Sequence, residues 1–445
     1  MSELALPFPE DRILDTTYYG NHGVPHELFS WLRANDPVRK FQVADYLPFW
    51  AVTKNEHIHE VEKQAELFRS HPQPTLTPRT RRFGDDEGMS DEAQAYVAEL
   101  FRGSPVAECF QTGEIMRTLI HMDAPDHQKY RDLVQPWFKP SNLNAFEARM
   151  REITRELLDQ MMGDGGERSC EFVNSVAVYH PLRMLCDLLG VPHSDEGFLL
   201  RLTNEFFAGD DEDLQRGDDP MDFLATVKEI YEYFYALAEE RRRNPTEDLG
   251  SYIANGMIDG KPLPLKELVS YYLVIATAGH DTTRNAIAGG LLALLQHPEE
   301  LKKWQGDLSL TKLAAEEIIR WTVPVIQFAR TASADYELAG KHIRAGDLIG
   351  LFYASGSRDE DVLENPFEFR IDRQPNRHVA FGSGPHICLG MLLARMEVRI
   401  FFNEFLARVQ SIELAGVPQM IKSSFIHGVK RLPIRYQLKP ASSGN

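Results

Sequence analysis

Phe381-Gly382-Ser383-Gly384-Pro385-His386-Ile387-Cys388-Leu389-Gly390 holds three glycines, one proline and a single cysteine, and Met391-Leu392-Leu393-Ala394-Arg395-Met396-Glu397 follows at once with helical spacing. The stretch reads as a loop feeding a helix. Glycines let the backbone take left-handed angles and approach a flat ligand closely. A cysteine at such a junction feels backbone N–H groups and the positive helix end, which lower its pKa and favour the thiolate. A lone thiolate on a glycine-supported loop suits the axial position of a haem iron. Taken alone, though, an isolated cysteine is more often a small buried side chain beside a turn.

Composition narrows the class. The chain has 445 residues, with 48 Lys and Arg against 66 Asp and Glu, a net charge of −18. Such a charge disfavours nucleic acid by repulsion. The length allows about three domains, yet no Gly/Ser linker and no internal repeat divides it. Cys109, Cys170, Cys186 and Cys388 form no CxxC pair and no disulfide ladder, which suits a reducing cytosol. No apolar run approaches the ~20 residues that span a bilayer, and the N-terminus lacks a signal sequence. The expectation is a soluble, cytoplasmic protein without a membrane anchor.

Residues 264–296 read as one continuous helix, roughly 50 Å long at about 1.5 Å per residue. Its middle is nearly all apolar, so it must run through a core. Within it, Ala278-Gly279-His280-Asp281-Thr282-Thr283 sets a glycine and two threonine hydroxyls mid-helix, where a hydrogen-bond ladder opens and admits water. A plain packing notch of small residues stays open on that pattern alone.

Two further stretches carry paired charges. In His121-Met122-Asp123-Ala124-Pro125-Asp126-His127-Gln128-Lys129-Tyr130-Arg131 a helix starts, with Asp123 as N-cap and proline just inside. His127 and Arg131 then share one face at i,i+4, as donors to a pair of carboxylates or as a surface pair. Trp137 and Phe138 pack beneath. Glu317-Ile318-Ile319-Arg320 puts acid and base at i,i+3 in a helix over 313–321, which by itself could be an exposed ion pair of little energy.

The remaining chain supplies context. A helix over 26–35 precedes strand-like runs at 37–41 and 50–53, with turns at Asp36-Pro37 and Leu47-Pro48. Residues 71–114 are polar and proline-rich and read as a long loop with a short helix over 92–101; such loops are functional or mobile, or simply solvated charge runs. Apolar spacing over 143–242 is helical, broken at 163–166 and 209–219. Asp210-Asp211-Glu212-Asp213 reads as an exposed loop without a chemical role. Pro324-Val325-Ile326-Gln327-Phe328-Ala329-Arg330-Thr331 alternates into a strand after a proline stop. Residues 424–428 and 432–436 read as hairpin strands.

Together these stretches resemble the cytochrome P-450 superfamily, in order along most of the chain, with every fixed position of Phe-Gly-x-Gly-x-His-x-Cys-x-Gly filled. Tyr271-Tyr272-Leu273-Val274-Ile275-Ala276-Thr277 and Pro375-Asn376-Arg377-His378 are similar in texture to bacterial terpene-alcohol (terpineol-type) hydroxylases. Thr282-Thr283-Arg284-Asn285 is similar also to bacterial sterol and alkane hydroxylases. The resemblance implies a mainly α fold with small β-sheets and a long central oxygen-binding helix over a haem. It implies one domain over 1–445, with a β-rich lobe roughly at 36–70 and 325–355 and a helical core.

The resemblance also assigns residues. Cys388 ligates the iron of haem b (iron protoporphyrin IX). His127, Arg131, Arg330 and His386 hold its propionates, and Phe381, Gly382, Gly390, Ala278 and Gly279 pack around it. Asp281 relays protons and Thr282 steadies bound dioxygen. Ile275, Ile326, Phe328, Phe425 and Ile426 face substrate. Glu317, Arg320 and Arg373 form a structural lock, although Arg370 stands where the family pattern has aspartate, which loosens the register before Arg373.

The implied reaction is O2-dependent hydroxylation of a lipophilic small molecule, a terpenoid first and a steroid-derived, alkyl or aromatic compound second. Electrons come from a ferredoxin and its ferredoxin reductase, the ferredoxin docking near Cys388 against Lys129, Lys139 and Arg395. A peroxide-driven peroxygenase on the same fold would lack the Asp281-Thr282 pair. A non-enzymatic zinc protein built on Cys388, His386 and His378 would have a poor tetrahedral set.

Overall fold

A single helix, Leu265–Gln296, runs for 32 residues through the molecule, with Pro264 at its N-cap. The computed structural model describes residues 5–79, 91–110, 116–208, 210–217 and 222–440. Most of this central helix between Glu267 and Leu294 is buried, as its apolar middle requires, while Gln296 at its end and Ala278 in its middle are exposed. The helices Tyr179–Leu189, Asp222–Arg243, Thr311–Thr322 and Met391–Arg408 pack around it. Two glycines explain the closest of these approaches. A Cβ at Gly290 would lie 2.8 Å from Ile318, and one at Gly289 would lie 2.7 Å from Thr322.

The β-rich side is a five-stranded sheet in the order Val38–Phe41, Phe49–Val52, Leu348–Phe352, Gln327–Ala332, Phe68–Arg69. Phe49–Val52 and Leu348–Phe352 pair in parallel and the other neighbours are antiparallel. Every residue of Leu348–Phe352 is buried, as expected for a strand covered on both faces. Apolar side chains gather in two clusters, a large one around the central helix and a smaller one on this sheet.

Several expectations shift in detail. The helix expected over 26–35 is His26–Asn35, and the short helix near 92–101 is Asp91–Leu100. Residues 80–90 and 111–115 of the expected long loop lie outside the described residues. Within 143–242, Glu167–Glu171 is a strand, not helix or loop. It pairs with Pro433–Leu438 in a three-stranded sheet completed by Val409–Leu414. Its polar sequence carries no alternation, so only the partner strand defines it. The C-terminal strands are Val429–Arg431 and Pro433–Leu438, and 424–428 is their approach, bridged at Val325 and Ile426.

The acidic loop exposes Glu212 and Asp213 as expected and departs from expectation at Asp211. Asp211 is fully buried, and its carboxylate accepts bonds from Lys430 Nζ at 2.9 Å and Lys422 N at 3.2 Å. The Lys430 ammonium and the Lys422 backbone N–H, both from the distant C-terminal segment, offset its burial. Among the described residues no helix is long and apolar enough to cross a membrane.

Candidate active site

The cysteine loop is built by its glycines. Gly382 and Gly384 have φ of 66° and 65°, in the left-handed region. A Cβ at Gly384 would also lie 2.2 Å from the Glu62 carbonyl, so the loop rests on the end of the helix Asn55–Lys63. Cys388 N donates to Phe381 O at 2.9 Å, and Gly390 caps the helix Met391–Arg408. Cys388 thus faces a cavity between this loop and the central helix.

Four elements bring the expected residues to that cavity. The loop presents Phe381, Gly382, His386, Cys388 and Gly390. The central helix contributes Ile275, Ala278, Gly279 and Thr282, the helix Asp126–Val134 gives His127 and Arg131, and the strand Gln327–Ala332 gives Phe328 and Arg330. Thr282 Oγ1 donates to Ala278 O at 2.8 Å.

Asp281 is not on the wall. One residue along a helix turns the side chain by about 100°, and Asp281 is buried on the neighbouring flank. There Oδ1 lies 2.7 Å from Arg284 Nη2, and Asn285 Nδ2 donates to Oδ2 at 3.4 Å. Burial pushes its carboxyl above the ordinary range, against Arg284 and Asn285, which favour the anion. Arg284 also donates from Nη1 to Asn204 Oδ1 at 3.1 Å.

The electrostatics of Cys388 correct a simple expectation. Burial raises the pKa of the metal-free thiol, and the Gly390 N–H, Arg131 and Arg395 only partly offset it. The helix end does not by itself produce a thiolate; desolvation outweighs it.

Opposing charge is scarce in one corner of the cavity. The His127 and His386 rings lie 4.0 Å apart. Burial and neighbouring Arg131 pull His127 down to about 4. Burial, then Arg330, His127 and Arg131, pull His386 down to about 2. Among the described residues Arg131 has no ion pair, and Arg330 reaches only Glu62, at 3.9 Å. A buried group of cation-capable donors calls for anions. Together with the sulfur of Cys388, apolar walls and the open space a Cβ at Gly390 would enter, this donor set fits an iron porphyrin with two propionates.

The lock is fully buried. Arg320 Nε and Nη2 each donate to Glu317 at 2.7 Å, and Arg373 Nε lies 3.1 Å from Glu317 Oε2. The Arg370 N–H also bonds Glu317 Oε1, at 2.9 Å, so the unexpected side chain at 370 leaves the register intact.

Other assignments move. Asp123 is no N-cap: the helix begins at Asp126, and the Asp123 carboxylate accepts from Ser70 N at 2.7 Å and His71 N at 3.0 Å. Ile326 is off the wall, fully buried in the β-side cluster, and its N–H donates to Phe425 O at 2.8 Å. Regular pairing starts at Gln327, so alternation does not reach back to Ile326, and Val325 lines the cavity instead. Ile426 is likewise buried off the wall. Phe425 stands behind it, its ring 5.7 Å from Phe328 and 6.4 Å from Phe207.

Two of the three expected docking cations are engaged: Lys129 Nζ lies 2.5 Å from Asp259, and Arg395 Nε 2.6 Å from Glu316. His378 contacts Glu316 at 3.2 Å, and among the described residues no three His, Cys, Asp or Glu side chains gather as a metal set. Sequence reasoning missed Leu119, Ile120, Leu185 and Thr283 on the wall. Apolar spacing marks them as inward-facing but does not say which interior surface they meet.

Comparison with known proteins agrees with this geometry. The cytochrome P-450 family profile matches residues 218–440. The chain is 35% identical over 426 residues to cytochrome P-450-terp of a Pseudomonas species, covering 94% of this chain and 95% of that one. It is 32% identical over 416 residues to a methyl-branched lipid omega-hydroxylase of Mycobacterium tuberculosis, covering 92% and 90%. The crystal structure of CYP108D1 from Novosphingobium aromaticivorans superposes with a TM-score of 0.83 at 36% identity, covering 97% of this chain and 98% of that one. This chain sets a half-buried cysteine loop against a threonine-bearing central helix with cationic donors at one edge, it is similar to these proteins over nearly its whole length, and it belongs to the cytochrome P-450 family of haem-thiolate monooxygenases.

Proposed function

We propose that this monooxygenase hydroxylates a lipophilic terpenoid, using electrons from a ferredoxin and its reductase in the cytoplasm. One observation carries the reading most directly. The cavity wall at Cys388 is built from apolar side chains such as Leu119, Ile120, Val274, Ile275, Val325 and Phe328, with Thr282 and Thr283 beside them. Such a wall selects by shape and excluded water, because no charged side chain of the central helix reaches it. The similarity to a terpenoid-named relative favours a terpenoid; the lipid hydroxylase keeps an alkyl substrate second.

Bound haem supplies oxygen activation and transfer of one oxygen atom to a C–H bond. The chain's own side chains divide the rest. Cys388 Sγ ligates iron and donates electron density. Arg131, Arg330, His127 and His386 hold the propionates through charge-assisted bonds. Thr282 Oγ1 holds a proton in the cavity. Asp281 passes protons toward it from the buried flank, which requires its carboxylate to turn from Arg284. Ile275 and Phe328 orient substrate.

A panel of terpenoids, steroids, alkanes and aromatics tests the substrate class through the low-to-high-spin absorption change. Terpenoids giving the largest change at the lowest concentration support the reading; a response confined to alkyl chains or steroids contradicts it. Product formed with hydrogen peroxide but not with ferredoxin and reductase would point to a peroxygenase. Among the described residues Lys139 is the docking cation outside ion pairs, so Lys139→Glu should slow reduction at low salt more than reversal at Lys129 does.

A further inference from the structure

Glu62 lies on the last turn of the helix Asn55–Lys63 and is 3% exposed. Its carboxylate accepts from Tyr353 Oη at 2.5 Å and from Ser383 Oγ at 2.9 Å. Its Oε1 stands 3.9 Å from Arg330 Nη2. Arg330, Tyr353 and Gly382 are on the cavity wall and Glu62 is directly behind them. A Cβ on Gly382 would come within 2.9 Å of Glu62 Oε1.

Counting charges around this corner gives an imbalance. Arg131 and Arg330 are the permanent cations. His127 and His386 face the same corner, and burial with those guanidiniums lowers the proton affinity of both rings. Tyr353 is also neutral, its hydroxyl pushed far up by burial and by Glu62. Two propionates held by Arg131 and Arg330 would leave Glu62 sharing its one nearby guanidinium, Arg330, with one of them. Burial already favours its protonated form, while Arg330, Tyr353 and Ser383 favour the anion. A propionate drawing on Arg330 weakens the first of those restraints.

We propose that Glu62 is the proton-exchanging group coupled to reduction of the haem: as one electron enters the iron, the Glu62 carboxylate takes up one proton from solvent. The inference rests on the haem-thiolate reading of the cavity. Reduction adds a negative charge to the site and so raises the affinity of Glu62 for a proton. The reduction potential therefore falls as pH rises between the Glu62 pKa of the oxidised state and that of the reduced state, and is flat outside that window.

Spectroelectrochemical titration of the substrate-free holoenzyme across pH tests this. The parent protein should show the sloping window. Glu62→Gln should show none, with a potential near the parent's low-pH value, because glutamine mimics the neutral acid. Tyr353→Phe removes a hydrogen bond that favours the anion, so it should move the window to higher pH; this variant carries the test if Glu62→Gln does not retain haem. A parent without any slope, a Glu62→Gln protein with the parent's slope, or an unmoved window in Tyr353→Phe overturns the proposal. The carbon monoxide spectrum of each sample separates failures: a thiolate-type band with an unchanged slope sinks only the role of Glu62, whereas no such band in the parent sinks the reading beneath it.

Discussion

Asp281 and Glu317 show how differently two buried carboxylates are used. Glu317 is matched by two guanidiniums and a backbone N–H. Removing its charge leaves Arg320 and Arg373 buried without a counterion, which costs about 3–5 kcal/mol. Glu317→Gln should lower unfolding free energy by that order in urea titrations; an unchanged midpoint would mean that the carbonyls around Arg320 and Arg373 suffice. Asp281 has one guanidinium, on its own helix, and lies one residue from the cavity-facing Thr282. As a proton relay its loss should lower product formation by about 10²-fold or more. In Asp281→Asn the spin change on substrate binding should survive, which separates relay from binding; an unchanged rate contradicts the relay.

At the scale of elements, the central helix and the cysteine loop were legible because their signals are local. A long apolar helix needs no partner to declare itself, and glycines at fixed spacing announce a turn. What stayed hidden depends on partners far away in sequence. Val325 rather than Ile326 lines the cavity because pairing with Leu348–Phe352 starts at Gln327. Asp123 has a cap-like sequence, yet Ser70 and His71 claim its carboxylate. Asp211 looks exposed until Lys430 is seen beside it. Glu62 gave no signal at all, since only the folded sheet brings Arg330 and Tyr353 to it and only the folded loop brings Ser383. The contact between the central helix and Thr311–Thr322 yields a prediction of its own. Gly290→Val would drive two methyls into Ile318, already 2.8 Å from a bare Cβ, and should destabilise the protein by about 1–3 kcal/mol. Equal thermal midpoints for parent and variant would show that the two helices can separate freely.

Across the whole molecule, buried neutral histidines set the acid limit. Burial holds His121 and His427 down to about 4 and His280 down to about 3, against an ordinary 6.5. Below 6.5 the unfolded chain binds protons that the folded chain does not, so stability falls as pH drops from there toward these values. Urea unfolding at stepped pH should show the loss, and His280→Asn should make it shallower; a slope identical to the parent's would exclude His280 from it. The claim on which all of this depends is that Cys388 ligates haem iron as a thiolate. The absorption spectrum of the dithionite-reduced, carbon monoxide-bound protein tests it most directly. A Soret band at the long-wavelength position given by thiolate ligation, lost in Cys388→His, is the predicted result. A band at the shorter wavelength of a histidine or neutral-thiol ligand in fresh, intact parent protein would contradict it.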